Sequence, residues 1–216
     1  MKDKEIEKLI KAEEKRQKSV VNLIASENYV SDDVLTALGS VLTNKYAEGY
    51  SAMRYYGGNE NMDKIENLCK ERALSLFNLE SEQWHVNVQP LSGSPANLAV
   101  YLALVPLGEK IMGMSLDQGG HLTHGHKVSA TGKIWQQVPY GVDEKTEILD
   151  YEALKKIAIA EKPKIIVAGF TAYPRLIDWQ KFRKIADASE AIMMVDMSHI
   201  AGLVAGKAYP TPFEYA

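Results

Sequence analysis

From residue 84 onward the chain alternates short apolar runs with amphipathic ones, and this alternation restricts the fold more than any other feature. "WHVNVQPL", "KIMGMS", "KIWQQVPY", "KIIVAGF" and "AIMMVDM" read as strands. "SPANLAVYLALV", "DYEALKKIAIAEK" and "DWQKFRKIADASE" lie between them and read as helices. Strands that alternate with helices of this length build parallel βαβ units. The expected class is therefore α/β, a mainly parallel sheet with helices on both faces. The unbroken apolar runs in "KIIVAGF" and "AIMMV" predict strands buried on both sides.

The stretch before residue 84 has a different texture. "MKDKEIEKLIKAEEKRQK" is charged throughout, with Ile6, Leu9 and Ile10 forming a thin stripe that predicts a helix docked on a larger body. "SDDVLTALGSVL" predicts a second helix, with Ser31 or Asp32 as its cap. A glycine- and tyrosine-rich loop follows, "NKYAEGYSAMRYYGGNE", and then the helical stretch "MDKIENLCKERALSLF". Its Cys69 is the only cysteine, so an internal disulfide and a cysteine zinc cluster are excluded. As a small hydrophobe it is expected to be buried. The opening is too charged for a signal peptide, and no apolar run is long enough to cross a bilayer. A cytoplasmic, reducing compartment is expected. With 25 basic against 28 acidic residues and a net charge of −3, there is no broad positive field for nucleic acid.

Ligands of open α/β sheets collect at the carboxyl ends of the strands. Four unusual segments are predicted at such ends: "LSGSPAN", "LDQGGHLTHGH", "GFTAYPR" and "VDMSH". Ser92, Gly93 and Ser94 precede a helix and offer hydroxyls and backbone N–H groups at its positive end, a cradle for phosphate. A plain helix-capping turn is the other reading of the same residues. His121, His124 and His126 crowd into six residues, yet no acid lies among them and no HExxH accompanies them, so a metal would have to borrow ligands. An imidazole hydrogen-bonded to backbone, or one lying on an aromatic ligand, fits equally. Asp196 ends a buried strand, and a carboxylate there needs a partner. Arg175 or Arg183 is one candidate, and a protonated pyridine nitrogen is another. Taken together, the cradle, the imidazole and the acid describe a pocket for pyridoxal 5′-phosphate.

Longer strings carry a resemblance. "NLIASENY", "NKYAEGYSAMRYYGGNE", "VNVQPLSGSPANLAVY", "GGHLTHG" and "VDMSHIAGLVA" resemble serine hydroxymethyltransferase, also called glycine hydroxymethyltransferase, from about Val20 to the last residue. The resemblance implies the large domain of fold-type I pyridoxal-phosphate enzymes, with residues 1–50 as an N-terminal helical arm and 51–216 as part of that domain. It implies the interconversion of serine and glycine, with tetrahydrofolate as co-substrate taking up the one-carbon unit. It also implies a homodimer or larger assembly with sites shared between subunits.

Carried over residue by residue, the resemblance gives Asp196 the pyridine nitrogen and has His121 stack on the ring. Ser92, Gly93 and Ser94 would hold the phosphate, with Tyr46 from another subunit. Thr171 and His199 would lie near the ring hydroxyl. Ser26 would meet the amino-acid carboxylate, and Glu48, with Tyr55 and Tyr56 beside it, would be the acid–base group near the transferred carbon. Leu116, Gly120 and Leu122 would line the folate site. No metal is implied. Glu48 sits between two tyrosines and beside Gly49, which predicts partial desolvation and a raised pKa. The family's Schiff-base lysine follows the equivalent of "PFEYA" in a threonine-rich segment that these 216 residues do not contain. The expectation is that the chain alone is inactive. A non-catalytic homologue acting by subunit binding, and another fold-type I aldolase such as threonine aldolase, are the alternative readings.

Overall fold

The computed structural model describes all 216 residues. Four strands form one parallel sheet: β3 (Lys110–Met114), β4 (Gln136–Tyr140), β5 (Ile165–Ala168) and β6 (Ile192–Val195), in the order β4-β3-β5-β6. Helix α6 (Tyr151–Glu161) carries the chain from β4 across to β5, and α7 (Trp179–Ser189) carries it on to β6. Successive strand residues point to opposite faces. Met112, Met114, Ile166 and Ala168 therefore join Leu154, Ala158, Phe182 and Ile185 in the larger core under α6 and α7. Ile111, Ile165 and Val167 face the other way, onto Tyr101 and Val105 from the end of α4 (Gly93–Leu104) and Trp135, which follows α5 (Ala130–Ile134). The predicted two-sided α/β layering is present.

Local chemistry sets the helix ends. Asp150 and Asp178 each accept backbone N–H groups at the starts of α6 and α7, and Lys162 and Glu190 end these helices in the left-handed conformation. The first two helices, α1 (Lys4–Ser19) and α2 (Asp32–Leu38), are capped by Asp3 and Ser31. A two-residue hairpin of β1 (Gly49–Tyr50) and β2 (Met53–Arg54) leads to α3 (Glu60–Phe77). The short α8 (Ala201–Ala205) follows β6. No helix is long and apolar enough to cross a membrane.

Five expectations are corrected. Residues 84–91 alternate half-buried Trp84, Val86 and Val88 with exposed neighbours, yet they join no sheet, because no strand lies alongside to complete a ladder. "KIWQQVPY" is a strand only from Gln136; Lys133 and Ile134 finish α5, which Ser129 caps. The strand in "AIMMVDM" is not buried on both faces: β6 is the sheet's edge, and Ile192 is 42% exposed. Cys69 is exposed, since α3 has no buried residue at all. Helix α1 likewise buries nothing, so its apolar stripe docks on no part of this chain. The first buried residue is Asn59, and Val21 and Leu23 are 86% and 89% exposed.

Candidate functional site

The chain leaves the central strand β3 outward to β4 and returns on the opposite side to β5. Crevices at such a reversal open at the carboxyl ends of the strands. A cavity of about 160 Å³ lies there, lined by Ser92, Gly93, Ser94, Asn97, His121, His124, Phe170, Thr171, Asp196, Ser198 and His199. The loop after β3 supplies the histidines, that after β5 supplies Thr171, and that after β6 supplies Asp196 and His199. Helix α4 points its first turn into the same space.

Asp196 is the centre of the cavity's polar structure. Its Oδ2 accepts from His124 Nε2 at 3.0 Å and from Asn97 Nδ2 at 2.9 Å. Its Oδ1 accepts from the Ser198 hydroxyl at 2.6 Å and the Ser198 N–H at 3.2 Å. Burial raises its pKa, but the hydrogen bonds from His124, Ser198 and Asn97 outweigh that and hold the carboxyl well below the usual range. It is a fixed anion. No arginine approaches it, and Arg183 is spent on Asp187 at 2.7 Å. His124 Nδ1 accepts from the His121 N–H at 3.4 Å, which leaves Nε2 protonated and donating to Asp196.

A second relay runs from Asp196 to His121. Asn97 Nδ2 also donates to Thr123 Oγ1 at 2.9 Å, and the Thr123 hydroxyl donates to His121 Nδ1 at 2.8 Å. Burial, and then the proximity of a second imidazole at His124, depress the His121 pKa, so the imidazole stays neutral. Gly113 makes room for this arrangement, because a Cβ there would stand 2.8 Å from the His124 carbonyl and 2.9 Å from its Cβ. His121 and His124 are thus committed to hydrogen bonds, and His126 lies outside the cavity, its Nδ1 accepting from the Val128 N–H.

The cavity also holds unspent polar groups. Ser92 is the N-cap of α4, yet its side chain makes no capping bond. The N–H groups of Gly93 and Ser94 donate to nothing in the fold, and Pro95 has none to offer. The Thr171 hydroxyl is buried without a partner. Orphaned donors at a helix start together with an orphaned buried hydroxyl suit an oxyanion and a hydroxylated ring. The donor set fits a phosphorylated pyridine such as pyridoxal 5′-phosphate.

Of the residues singled out in the sequence, Ser92, Gly93, Ser94, His121, Thr171, Asp196 and His199 all line the one cavity. Sequence reasoning missed Asn97, His124 and Ser198 as partners of Asp196, although "SPAN", "LTHG" and "DMSH" contain them. Tyr46, Glu48, Tyr55, Tyr56, Ser26, Leu116, Gly120 and Leu122 do not line it. Within this chain Glu48 is exposed, so the expected desolvation does not occur, and it lines a separate cleft with Arg54 and Glu66. Arg54 fixes that loop: Nη1 donates to the Ala47 carbonyl at 2.7 Å and to that of Gly49, Nε to Asp63, and Nη2 to Glu66. Tyr46 packs edge-on against Tyr56 at 5.1 Å.

Two depressed carboxyls set an acid limit. Burial raises the Glu66 pKa, but Lys70, Arg54 and Gln89 outweigh it and lower the value from 4.5 to about 2. Asp196 is lowered from 3.8 in the same sense. The unfolded chain therefore binds protons first as the pH falls. The stability these groups lend is full above about pH 5 and drains away from about pH 4.5 downward. Urea midpoints measured from pH 7 to pH 3 should fall steeply for the parent chain and less steeply for Asp196→Asn and Glu66→Gln. Parallel profiles for all three would show that neither carboxyl is held ionised by the fold.

A parallel α/β sheet whose strand ends converge on an anion cradle and a half-buried carboxylate is the architecture of the fold-type I class. The family model described as serine hydroxymethyltransferase matches residues 1–216, and the chain belongs to that family. It is 55% identical to serine hydroxymethyltransferase of Mycoplasmopsis agalactiae over 216 residues, all of this chain and 50% of that protein. The protein of that name from Desulfotalea psychrophila is 56% identical over 99% of this chain and 49% of its own length. Cytosolic serine hydroxymethyltransferase of Candida glabrata is 53% identical over 99% of this chain and 47% of its own. The chain thus spans about half the length of the curated relatives it matches.

Proposed function

We propose that this chain is the cofactor-holding part of a cytoplasmic enzyme that interconverts serine and glycine and passes the one-carbon unit to tetrahydrofolate. The observation that carries this is the ionised Asp196 in one cavity with the uncommitted N–H groups of α4 and the orphaned Thr171 hydroxyl. Residues 1–50 are read as an arm and 51–216 as part of the large domain. Pyridoxal 5′-phosphate, when bound, supplies a cationic ring that draws electrons from a bond to the amino acid's α-carbon. Ser92, Gly93 and Ser94 hold its phosphate. Asp196 keeps the proton on the ring nitrogen. Neutral His121 lies on the ring face, oriented by Thr123, and Thr171 and His199 meet the ring hydroxyl.

The remaining roles fall on residues outside the cavity, so a second copy is read as supplying or completing them. Tyr46 reaches the partner's phosphate. Glu48, with Tyr55 and Tyr56, moves a proton near the transferred carbon. Ser26 contacts the substrate carboxylate, and Leu116, Gly120 and Leu122 face the folate. What supports sharing is the arm itself: it contains no buried residue and displays Val21, Leu23 and Val41 at 80% exposure or more. Apolar surface of that extent is ordinarily covered.

The complete protein, purified and supplied with pyridoxal phosphate, should convert serine to glycine at a rate that rises sharply on adding tetrahydrofolate. A cofactor-loaded preparation indifferent to folate would overturn the folate clause, and one inert toward serine would overturn the whole reading. Light scattering at several concentrations tests the shared site, which a clean monomer throughout would remove.

A further inference from the structure

Asp196 has more suitors than its proposed role allows. A carboxylate offers two oxygens with about four lone-pair sites between them. Here all four are taken by the protein: His124 and Asn97 on Oδ2, the Ser198 N–H and hydroxyl on Oδ1. A ring N–H arriving in the cavity finds no free site, so one of the four donors must yield or share.

The four donors differ in how easily they move. His124 is 1% exposed, and its other nitrogen is engaged by the His121 N–H. Asn97 is 8% exposed and bridges to Thr123 with the same amide nitrogen. The Ser198 N–H is backbone at the start of the turn into α8. The Ser198 side chain alone is exposed and rotates about a single bond, and its oxygen makes no other hydrogen bond. It also lies beside the cradle, 3.8 Å from where a Cβ on Gly93 would stand. A hydroxyl released from Asp196 thus has solvent, or a phosphate held at Gly93, to turn to.

We infer that Ser198 is a positioning residue that competes with the ring cation for Asp196: its hydroxyl caps Oδ1 and must swing away when the ring nitrogen docks. This rests on the cofactor role proposed above for Asp196. Its consequence is a pocket detuned for the ring while its grip on phosphate is untouched. Hydrogen bonds to charged groups are among the stronger ones in proteins, and water replaces only part of one that is lost.

The test uses the 216-residue chain with pyridoxamine 5′-phosphate, which carries the ring and phosphate but no aldehyde to react with stray lysines. Inorganic phosphate serves as the ring-less probe. By calorimetry, Ser198→Ala should bind pyridoxamine phosphate about tenfold more tightly than the parent, about 1.4 kcal/mol. Ser198→Thr, which keeps the hydroxyl, should match the parent, and all three should bind inorganic phosphate equally. A general loosening of the pocket by the substitution would weaken both probes together. Equal or weaker binding of pyridoxamine phosphate by Ser198→Ala, with the parent binding it well, would overturn the competition alone. No binding of pyridoxamine phosphate to the parent would overturn the cofactor reading and the competition with it.

Discussion

Asp196→Asn should, on the function proposed above, lower turnover of serine by the full-length enzyme about a hundredfold or more while leaving the affinity for phosphate nearly unchanged. The two halves of that outcome come from different parts of the cavity. The proposed phosphate cradle is the start of α4, whose free Gly93 and Ser94 N–H groups and Ser92 side chain make no hydrogen bond to the Asp196 side chain. In the function proposed above, turnover depends on a proton staying on the ring nitrogen, which an anion holds there. Exchanging the carboxylate for an amide forfeits a charge-assisted hydrogen bond of about 3 kcal/mol, or roughly two orders of magnitude in rate. With its oxygen in the Oδ2 position the amide can still accept from both Asn97 and His124, but its NH₂ then faces the Ser198 N–H, which loses its acceptor. One backbone donor left unpaired is a modest local cost to stability. Near-normal turnover in Asp196→Asn would mean that the ring needs no anionic partner, and the role given to Asp196 would be wrong.

How much of this was legible beforehand depends on the range of each interaction. The apolar runs 111–114, 165–168 and 192–195 marked the strands, because a core strand needs apolar residues at consecutive positions. The same rule failed at β6: Ile192 satisfies the pattern, yet it faces outward at the sheet edge, and pattern alone does not number a strand's neighbours. It failed again at 84–91, where the alternation is real and a pairing partner is lacking. At the site, the residues after the strand ends that line the cavity were singled out from their chemistry. Those that act on Asp196 from 99 and 72 positions away, Asn97 and His124, were not recognised as its partners. Neither type is unusual in a helix or loop, and only the sheet brings them to the carboxylate. Glu48 illustrates the opposite error. Its neighbours in sequence suggested desolvation, but exposure is decided by what covers a loop, and nothing in this chain covers it.

Gly169→Ala should be among the most damaging one-methyl changes in the molecule. Gly169 follows β5 with φ of +140°, a backbone conformation that an L side chain rarely adopts. A Cβ there would lie 2.0 Å from the Asp196 carbonyl oxygen and 2.8 Å from its carbon. Both are backbone atoms, and Asp196 is itself anchored by donating its N–H to the Ala168 carbonyl at 2.9 Å. Relief therefore requires the ends of β5 and β6 to part. Backbone strain of about 1–3 kcal/mol and overpacking of similar size add to roughly 2–6 kcal/mol, a large share of the 5–15 kcal/mol typical of a domain. The displacement would not stay local. Thr171 is two residues on, and its N–H donates to the Gly119 carbonyl at 2.8 Å, so the β5 loop, the His121 loop and Asp196 would all shift. Gly202→Ala in α8 is the matching control: no atom lies within 4 Å of its would-be Cβ, and a helical alanine stabilises by about 0.5–1 kcal/mol. Urea midpoints should drop sharply for the first variant and hold or rise for the second. A Gly169→Ala chain as stable as the parent would show that β5 and β6 have room to part, and the tight crossing beneath Asp196 would not be what aims its carboxylate.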